Sequence, residues 1–183
     1  MKIVAFGASA SKKSINKEFA AFAAKQFSGE EIEVLDLNDF PLPLYTVDVE
    51  KESGIPGLVK SFQNKLYKAD LIIISLAEHN GSYTTAFKNL FDWLSRYNRK
   101  MFEGKKVVLL STAPGARGGK SVMEAALVRF PIHGADIIGH FSLPHYKDNY
   151  APGKGIIHPE LNKLFTDFIF KTRREYELSE SKS

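Results

Sequence analysis

Near the start of the chain, Gly7-Ala8-Ser9-Ala10-Ser11-Lys12-Lys13-Ser14-Ile15-Asn16 sets three hydroxyls, an amide and two lysines ahead of a segment with helical spacing. That set suits a terminal phosphate monoester. Free N–H groups and the positive end of a helix dipole attract the dianion, while Ser9, Ser11, Ser14 and Asn16 donate hydrogen bonds around Ile15. The same residues also read as Ser14 capping a helix behind a polar turn. With a single glycine, the loop is neither a G-x-G-x-x-G fingerprint nor a P-loop. Gly7-Ala8-Ser9-Ala10-Ser11 nearly spells the G-x-S-x-G nucleophile elbow. Ser11 replaces its second glycine, however, and an elbow is not expected on a first strand, so an esterase is set aside.

Two further loops carry polar atoms. In Ala77-Glu78-His79-Asn80-Gly81-Ser82-Tyr83-Thr84-Thr85, Asn80-Gly81 signals a tight turn, and Ser82 reads as the N-cap of the next helix. Such a turn turns backbone N–H and C=O groups outward, where they can pair with the edge of a flat heterocycle. His79 at its crest reads as a surface residue or as a ring stacking on a cofactor. Ser111-Thr112-Ala113-Pro114-Gly115-Ala116-Arg117-Gly118-Gly119 could close the other side of that ring. Arg117 by itself reads as a solvated side chain.

The composition removes other chemistries. The 183 residues contain no cysteine, which rules out a thiolate nucleophile, a dithiol couple, a disulfide framework and a Cys-based zinc site. No metal site is expected, and any electron transfer must run through a bound cofactor. The formal charge of +4 is spread along the chain in runs of at most two residues. It hints at anionic ligands and gives no nucleic-acid footprint. No apolar stretch approaches the roughly 20 residues of a membrane span, and the first residues hold no signal-type apolar region. A cytoplasmic protein without a membrane partner is the expectation.

The elements that must position these loops follow from hydrophobic periodicity. Ile3 to Phe6, Leu71 to Leu76 and Val107 to Leu110 are continuous apolar runs, as strands buried on both faces require. Ile32 to Leu37 and Asp136 to Leu143 read as further strands. Between them run helical stripes: Phe19, Ala20, Ala23 and Phe27; Leu58, Val59, Phe62 and Leu66; Ala86, Phe87, Leu90, Phe91 and Leu94; Val122, Ala125, Ala126 and Phe130. A last stripe, Leu161, Leu164, Phe165 and Phe168, follows Pro159, which suits a first helical position. Five β-α units imply an α/β fold: a doubly wound, five-stranded parallel sheet of order 2-1-3-4-5 with helices on both faces. The expectation is one domain over residues 1–176 and a frayed tail over 177–183, with Asn38 to Gly57 a long linker over one face. In such a sheet ligands sit beyond the carboxyl ends of the strands, where the first, third and fourth loops meet.

At those loops the chain resembles the NADPH-dependent FMN reductase family of the flavodoxin-like superfamily, which includes quinone, azo-dye and chromate reductases. The resemblance runs from Lys2 to about Gly139. Ser9, Ser14 and Asn16 match a G-S-x-R-x-x-S-x-N phosphate loop, with Ala8 at the glycine position and Ser11 at the arginine position. Glu78, Asn80, Gly81 and Ser82 match P-E-Y-N-G-S, with Ala77 for the proline and His79 for the tyrosine that borders the flavin in the family. Lys88, Asn89, Asp92, Trp93, Ser95 and Arg96 match L-K-N-x-x-D-W-x-S-R, with Phe87 for the leucine. In the family the Asp and Arg of that helix support loop and subunit contacts; Asp92 and Arg96 at i, i+4 also read as an ordinary helix ion pair.

The resemblance implies FMN as bound cofactor and NADPH or NADH as hydride donor. Ser9, Ser11, Ser14, Ile15 and Asn16 would hold the phosphate; Glu78, His79, Asn80 and Gly81 would flank the isoalloxazine; Ser111, Thr112, Pro114 and Gly115 would complete the pocket. No protein residue is expected to act as a catalytic acid or base, since the cofactor carries the chemistry. A ping-pong reaction toward free flavin, quinones, azo compounds or metal oxyanions, and a homodimer or homotetramer, follow from the same resemblance. The alternatives are a non-enzymatic flavodoxin-like electron carrier, which often needs an acidic docking face, and a receiver-like signalling module. The latter would want acidic residues where Phe6-Gly7-Ala8-Ser9 stands.

Overall fold

The computed structural model describes residues 1–27 and 31–180. Five parallel strands form one sheet: β1 (Lys2–Ala8), β2 (Glu31–Leu35), β3 (Leu71–Leu76), β4 (Lys106–Thr112) and β5 (Asp136–Leu143). Their spatial order is β2-β1-β3-β4-β5, the expected doubly wound arrangement. The chain reverses direction across the sheet between β1 and β3, so the crevice for a ligand opens above these two strands.

Strand alternation sorts the core into two layers. Ile3 and Ala5 of β1 face α1 (Ile15–Ala24) and the C-terminal helix, packing with Phe19, Ala20, Ala23, Phe165 and Ile169. Val4 and Phe6 point the other way, toward α3 (Gly57–Lys68), α4 (Thr85–Tyr97) and α5 (Lys120–Arg129). Both layers are apolar because the central strands have no solvent face.

Three local details differ from the sequence reading. The linker holds a short helix, α2 (Val47–Ser53), capped by Thr46. None of its residues is buried, which is why no apolar stripe announces it. The last helix, α6, runs Pro159–Glu180, so the backbone of residues 177–180 is helical where a frayed tail is expected; residues 181–183 lie outside the described residues. Pro159 does open that helix. Finally, Thr84 and not Ser82 caps α4: its Oγ1 accepts from the Phe87 N–H at 3.2 Å and donates to the Ala8 carbonyl at 2.8 Å. Ser82 instead pairs with His79 across a small hairpin.

No helix among the described residues is long and apolar enough to cross a membrane. Among them there is also no cluster of three or more His, Asp or Glu side chains arranged to hold a metal ion.

Candidate active site

The cleft begins with a close approach that only glycine permits. A Cβ on Gly7 would stand 2.2 Å from the Lys17 backbone nitrogen and 2.7 Å from the Asn16 carbonyl carbon. The first turn of α1 therefore lies directly on the end of β1. Ser14 caps it, its Oγ accepting from the Lys17 N–H at 3.1 Å. Ile15 and Asn16, the first two helical residues, have no carbonyl one turn earlier to receive their N–H groups.

Asn16 is sewn inward. Its Nδ2 donates to the Thr112 carbonyl at 3.1 Å, and its Oδ1 accepts from Ser75 Oγ at 2.7 Å and from the Thr112 N–H at 3.2 Å. Three of its four hydrogen-bonding directions are thus spent on β3 and β4, which leaves one Nδ2 hydrogen. The amide fixes α1 to the strand ends.

The third-strand loop is a two-residue hairpin, Glu78–His79 paired with Ser82–Tyr83. Asn80 at φ 51° and Gly81 at φ 77° put both turn residues in the left-handed region, as a type I′ turn requires. Glu78 lines the cleft, and its Oε2 accepts from the Val122 N–H at 2.9 Å, in the first turn of α5. That helix starts at Gly119 with no side-chain cap, and Glu78 supplies one from a distant loop, with a negative charge at the positive helix end. Tyr83 packs parallel to Phe91 and Phe130 and carries a buried hydroxyl with no hydrogen-bond partner among the described residues; burial pushes its pKa up to about 12.

The fourth-strand loop contributes Thr112, Ala113 and Pro114 to the cleft. Ser111 is fully buried and turned away, with Oγ donating to the Gly118 carbonyl at 2.7 Å and close to Ser142 Oγ. Its expected place in the pocket wall is therefore corrected to support of the loop behind it. Gly115 anchors the segment after β5 through its carbonyl, which accepts from the His145 N–H at 3.1 Å. Arg117 is exposed and donates to Ser121 Oγ at 2.7 Å.

Together these loops enclose a cavity of about 140 Å³ lined by Ser9, Ser11, Lys13, Ser14, Ile15, Asn16, Ala77, Glu78, His79, Thr112, Ala113 and Pro114. Asn80, Gly81, Ser111 and Gly115 stand outside this lining. Lys13, Ala77 and Ala113 are additions. Lys13 is one of the two lysines that the sequence already sets in that polar loop, whereas nothing in two alanines marks them. Larger cavities exist, but the 260 Å³ one beside Ala10, Phe40 and Leu42 has no ionisable residue in its wall, and the 560 Å³ one by Gln26 and Arg173 lies along α6. The size and donors of the switch-point cavity suit a phosphate better than a whole flavin.

The sequence profile of NADPH-dependent FMN reductases matches residues 1–148. The chain belongs to that family. An uncharacterized MG342 homolog of Mycoplasma pneumoniae is 31% identical over 145 residues, 76% of this chain and 85% of that protein. A quinone reductase of Escherichia coli K12 is 34% identical over 89 residues, 46% of this chain and 47% of its own length. The chain thus aligns with about half the length of such quinone reductases. In fold it is similar to FerB, a flavoenzyme NAD(P)H:acceptor oxidoreductase from Paracoccus denitrificans. The TM-score is 0.76 and the identity 22%, covering 96% of this chain and 97% of that one. As a member of the NADPH-dependent FMN reductase family the protein is an oxidoreductase that uses FMN and a reduced nicotinamide.

The α4 part of the family match lies away from the cleft. On α4, Asn89 Nδ2 and Trp93 Nε1 both donate to the Pro43 carbonyl, at 3.0 and 2.8 Å, and Asn89 Oδ1 accepts from the Tyr45 N–H at 2.8 Å. Tyr45 packs edge-on against Trp93 and donates to Glu50, which also accepts from Arg96 Nε at 3.0 Å. The helix ion pair read between Asp92 and Arg96 is not formed: Asp92 takes Lys88 at 2.7 Å, and Arg96 reaches across to α2.

Proposed function

We propose that the chain is an NAD(P)H-dependent reductase of small electron acceptors, such as quinones, free flavin, azo compounds or metal oxyanions, working by a ping-pong cycle at one cleft. The observation that carries this reading is the convergence of three loops on a hydroxyl-lined cavity at the start of α1, above the β1/β3 switch point. Ser9, Ser11 and Ser14 keep hydroxyl protons to donate there: Ser9 and Ser14 accept backbone N–H groups with their oxygens, which leaves O–H free. With the N–H groups of Ile15 and Asn16 and the charge of Lys13, they would hold the FMN phosphate. The His79-Asn80-Gly81-Ser82 hairpin, braced by Glu78, and Thr112 to Pro114 would flank the ring. FMN held there would supply two-electron redox chemistry between nicotinamide and acceptor. The protein's part is to position the groups and set the local charge. A homodimer or homotetramer in the cytoplasm belongs to the same reading, carried by the family resemblance.

The test is direct. The purified protein should be yellow or take up added FMN, and NADPH or NADH should bleach it anaerobically. Initial rates at several acceptor concentrations should give parallel double-reciprocal lines. A colourless protein that takes up no FMN overturns the proposal. Bound flavin that neither nicotinamide bleaches favours the electron carrier.

A further inference from the structure

The outward face of α6 carries an exposed aromatic ring at the centre of an ordered set of charges. Phe165 and Thr172 are buried, and Phe170, about 140–160° around the helix from both, is 68% exposed. Lys163, Asp167, Arg173, Arg174 and Glu177 all fall within about 60° of Phe170 at the helical repeat, and all are exposed. Along the helix this stripe runs cation, anion, ring, two cations, anion. Lys163 and Asp167 pair with each other at 2.8 Å. Beside the ring lies the 560 Å³ groove, whose walls include Ile169 on α6 and Gln26 just past α1. Arg173 flanks it, with Nη1 3.5 Å from the Gln26 carbonyl.

We infer that this face is a two-fold contact with a second copy of the chain, the two α6 helices running antiparallel with Phe170 at the centre. The charge order is what selects this partner. With one Phe170 over the other, Lys163 comes level with the partner's Glu177. Asp167 comes within one residue, about 1.5 Å of rise, of the partner's Arg174 on the same edge of the contact. The symmetry repeats both pairs, so the Lys163–Asp167 pair becomes the middle of a run of four alternating charges. A parallel copy would set each charge against its own kind. One patch thus complements itself, as a closed two-fold dimer requires. Each Phe170 has the groove beside the other to enter, and the charges fix direction and register more than strength. Residues 163 to 177 span only about 21 Å of helix, so the contact falls at the small end of specific interfaces and the association should be micromolar or weaker. None of these residues lines the cleft, so the inference stands apart from the flavin reading. It also uses a different helix from the α4 residues that the family resemblance ties to subunit contacts.

The experiment uses the full chain, which has no cysteine of its own to interfere. Phe170→Cys and Leu164→Cys each place one thiol at an exposed position of α6. Two copies of residue 170 meet at the centre, within reach of a disulfide, whereas two copies of residue 164 stand about 18 Å apart along the helices. Under mild oxidation Phe170→Cys should form a linked dimer on a non-reducing gel, and Leu164→Cys should stay largely unlinked. Adding Arg174→Glu to Phe170→Cys sets two carboxylates together on each edge and should slow linking about two- to fivefold, the range of an exposed charge pair. Adding Asp167→Arg as well should restore the rate. In the chain without a thiol, Phe170→Glu should lower the mass seen by sedimentation at high protein concentration. Equal linking at both positions, no linking at 170, a double reversal that fails to restore the rate, or an unchanged mass in Phe170→Glu overturns the inference. Binding of the wild type to phosphatidylserine vesicles without linking at 170 overturns it in favour of a membrane surface.

Discussion

The two regions that match the family signatures do different physical work, and their lengths mislead about which is which. The first-loop signature is short and departs from the pattern at Ala8 and Ser11, yet Ser9, Ser11, Ser14, Ile15 and Asn16 line the cleft. The α4 signature is long and closely matched, yet none of Lys88, Asn89, Asp92, Trp93, Ser95 and Arg96 lines it. Three of these six residues clamp the linker instead: Asn89 and Trp93 hold Pro43 and Tyr45, and Arg96 holds Glu50. A clamp needs many residues in fixed register because each partner has one correct geometry. A phosphate grip needs only several donors near a helix start, and serines, backbone and lysine are interchangeable there. The length of a motif here measures how much structure it must hold and does not measure nearness to the chemistry.

The largest expected break in this contrast is Trp93→Ala. Trp93 is fully buried, and its removal deletes the indole packing and one donor to the Pro43 carbonyl. Stability measured by urea unfolding should fall by about 3–5 kcal/mol. FMN affinity of the fraction still folded should change far less than stability does. A large loss of flavin affinity without loss of stability would show that the clamp belongs to the site.

Ser14→Ala tests the opposite region and should show the opposite balance. Losing the α1 cap should cost about 0.5–2 kcal/mol. FMN affinity, measured by quenching of flavin fluorescence, should drop about 10- to 150-fold, since a charge-assisted hydrogen bond of about 1.5–3 kcal/mol goes with the hydroxyl. Unchanged affinity would move the phosphate grip elsewhere.

The sheet was legible because each central strand is apolar on both faces, and Gly7, Ser14, Pro159 and the Asn80-Gly81 turn follow local rules that a sequence displays. What escaped were the long-range hydrogen bonds. Asn16 looks like a ligand donor in sequence and becomes a brace because Ser75 and Thr112, 59 and 96 residues away, arrive beside it. Glu78 reads in sequence as a residue beside the ring, and the fold also makes it a helix cap because Gly119 leaves α5 without one. Asp92 and Arg96 satisfy the helix spacing rule, but Lys88 and Glu50 are better placed. In each case a polar side chain was assigned by its neighbours in sequence, and the fold paired it with a group that spacing cannot show.

The smallest expected effect lies where the two regions join. Lys17, in the first turn of α1, pairs with Asp36, which follows β2 and opens the path toward the linker; Asp36 Oδ1 also accepts from the Asn38 N–H at 2.9 Å. Burial works against the charged carboxylate, but Lys17 and the two donors of Asn38 outweigh it and hold its pKa below the usual aspartate value. Since the folded value lies below the unfolded one, the resulting stability is present above about pH 4 and is lost as pH falls through the folded value. The side chain is 26% exposed, so solvent screening limits the contribution to about 0.5–1 kcal/mol. Asp36→Asn should therefore lower stability slightly at pH 7 and reduce the fall in stability between pH 5 and 3, measured by urea midpoints across that range. An equally steep acid limb in the variant would show that the join between cleft and clamp carries no electrostatic energy, and that the two regions are coupled by packing alone.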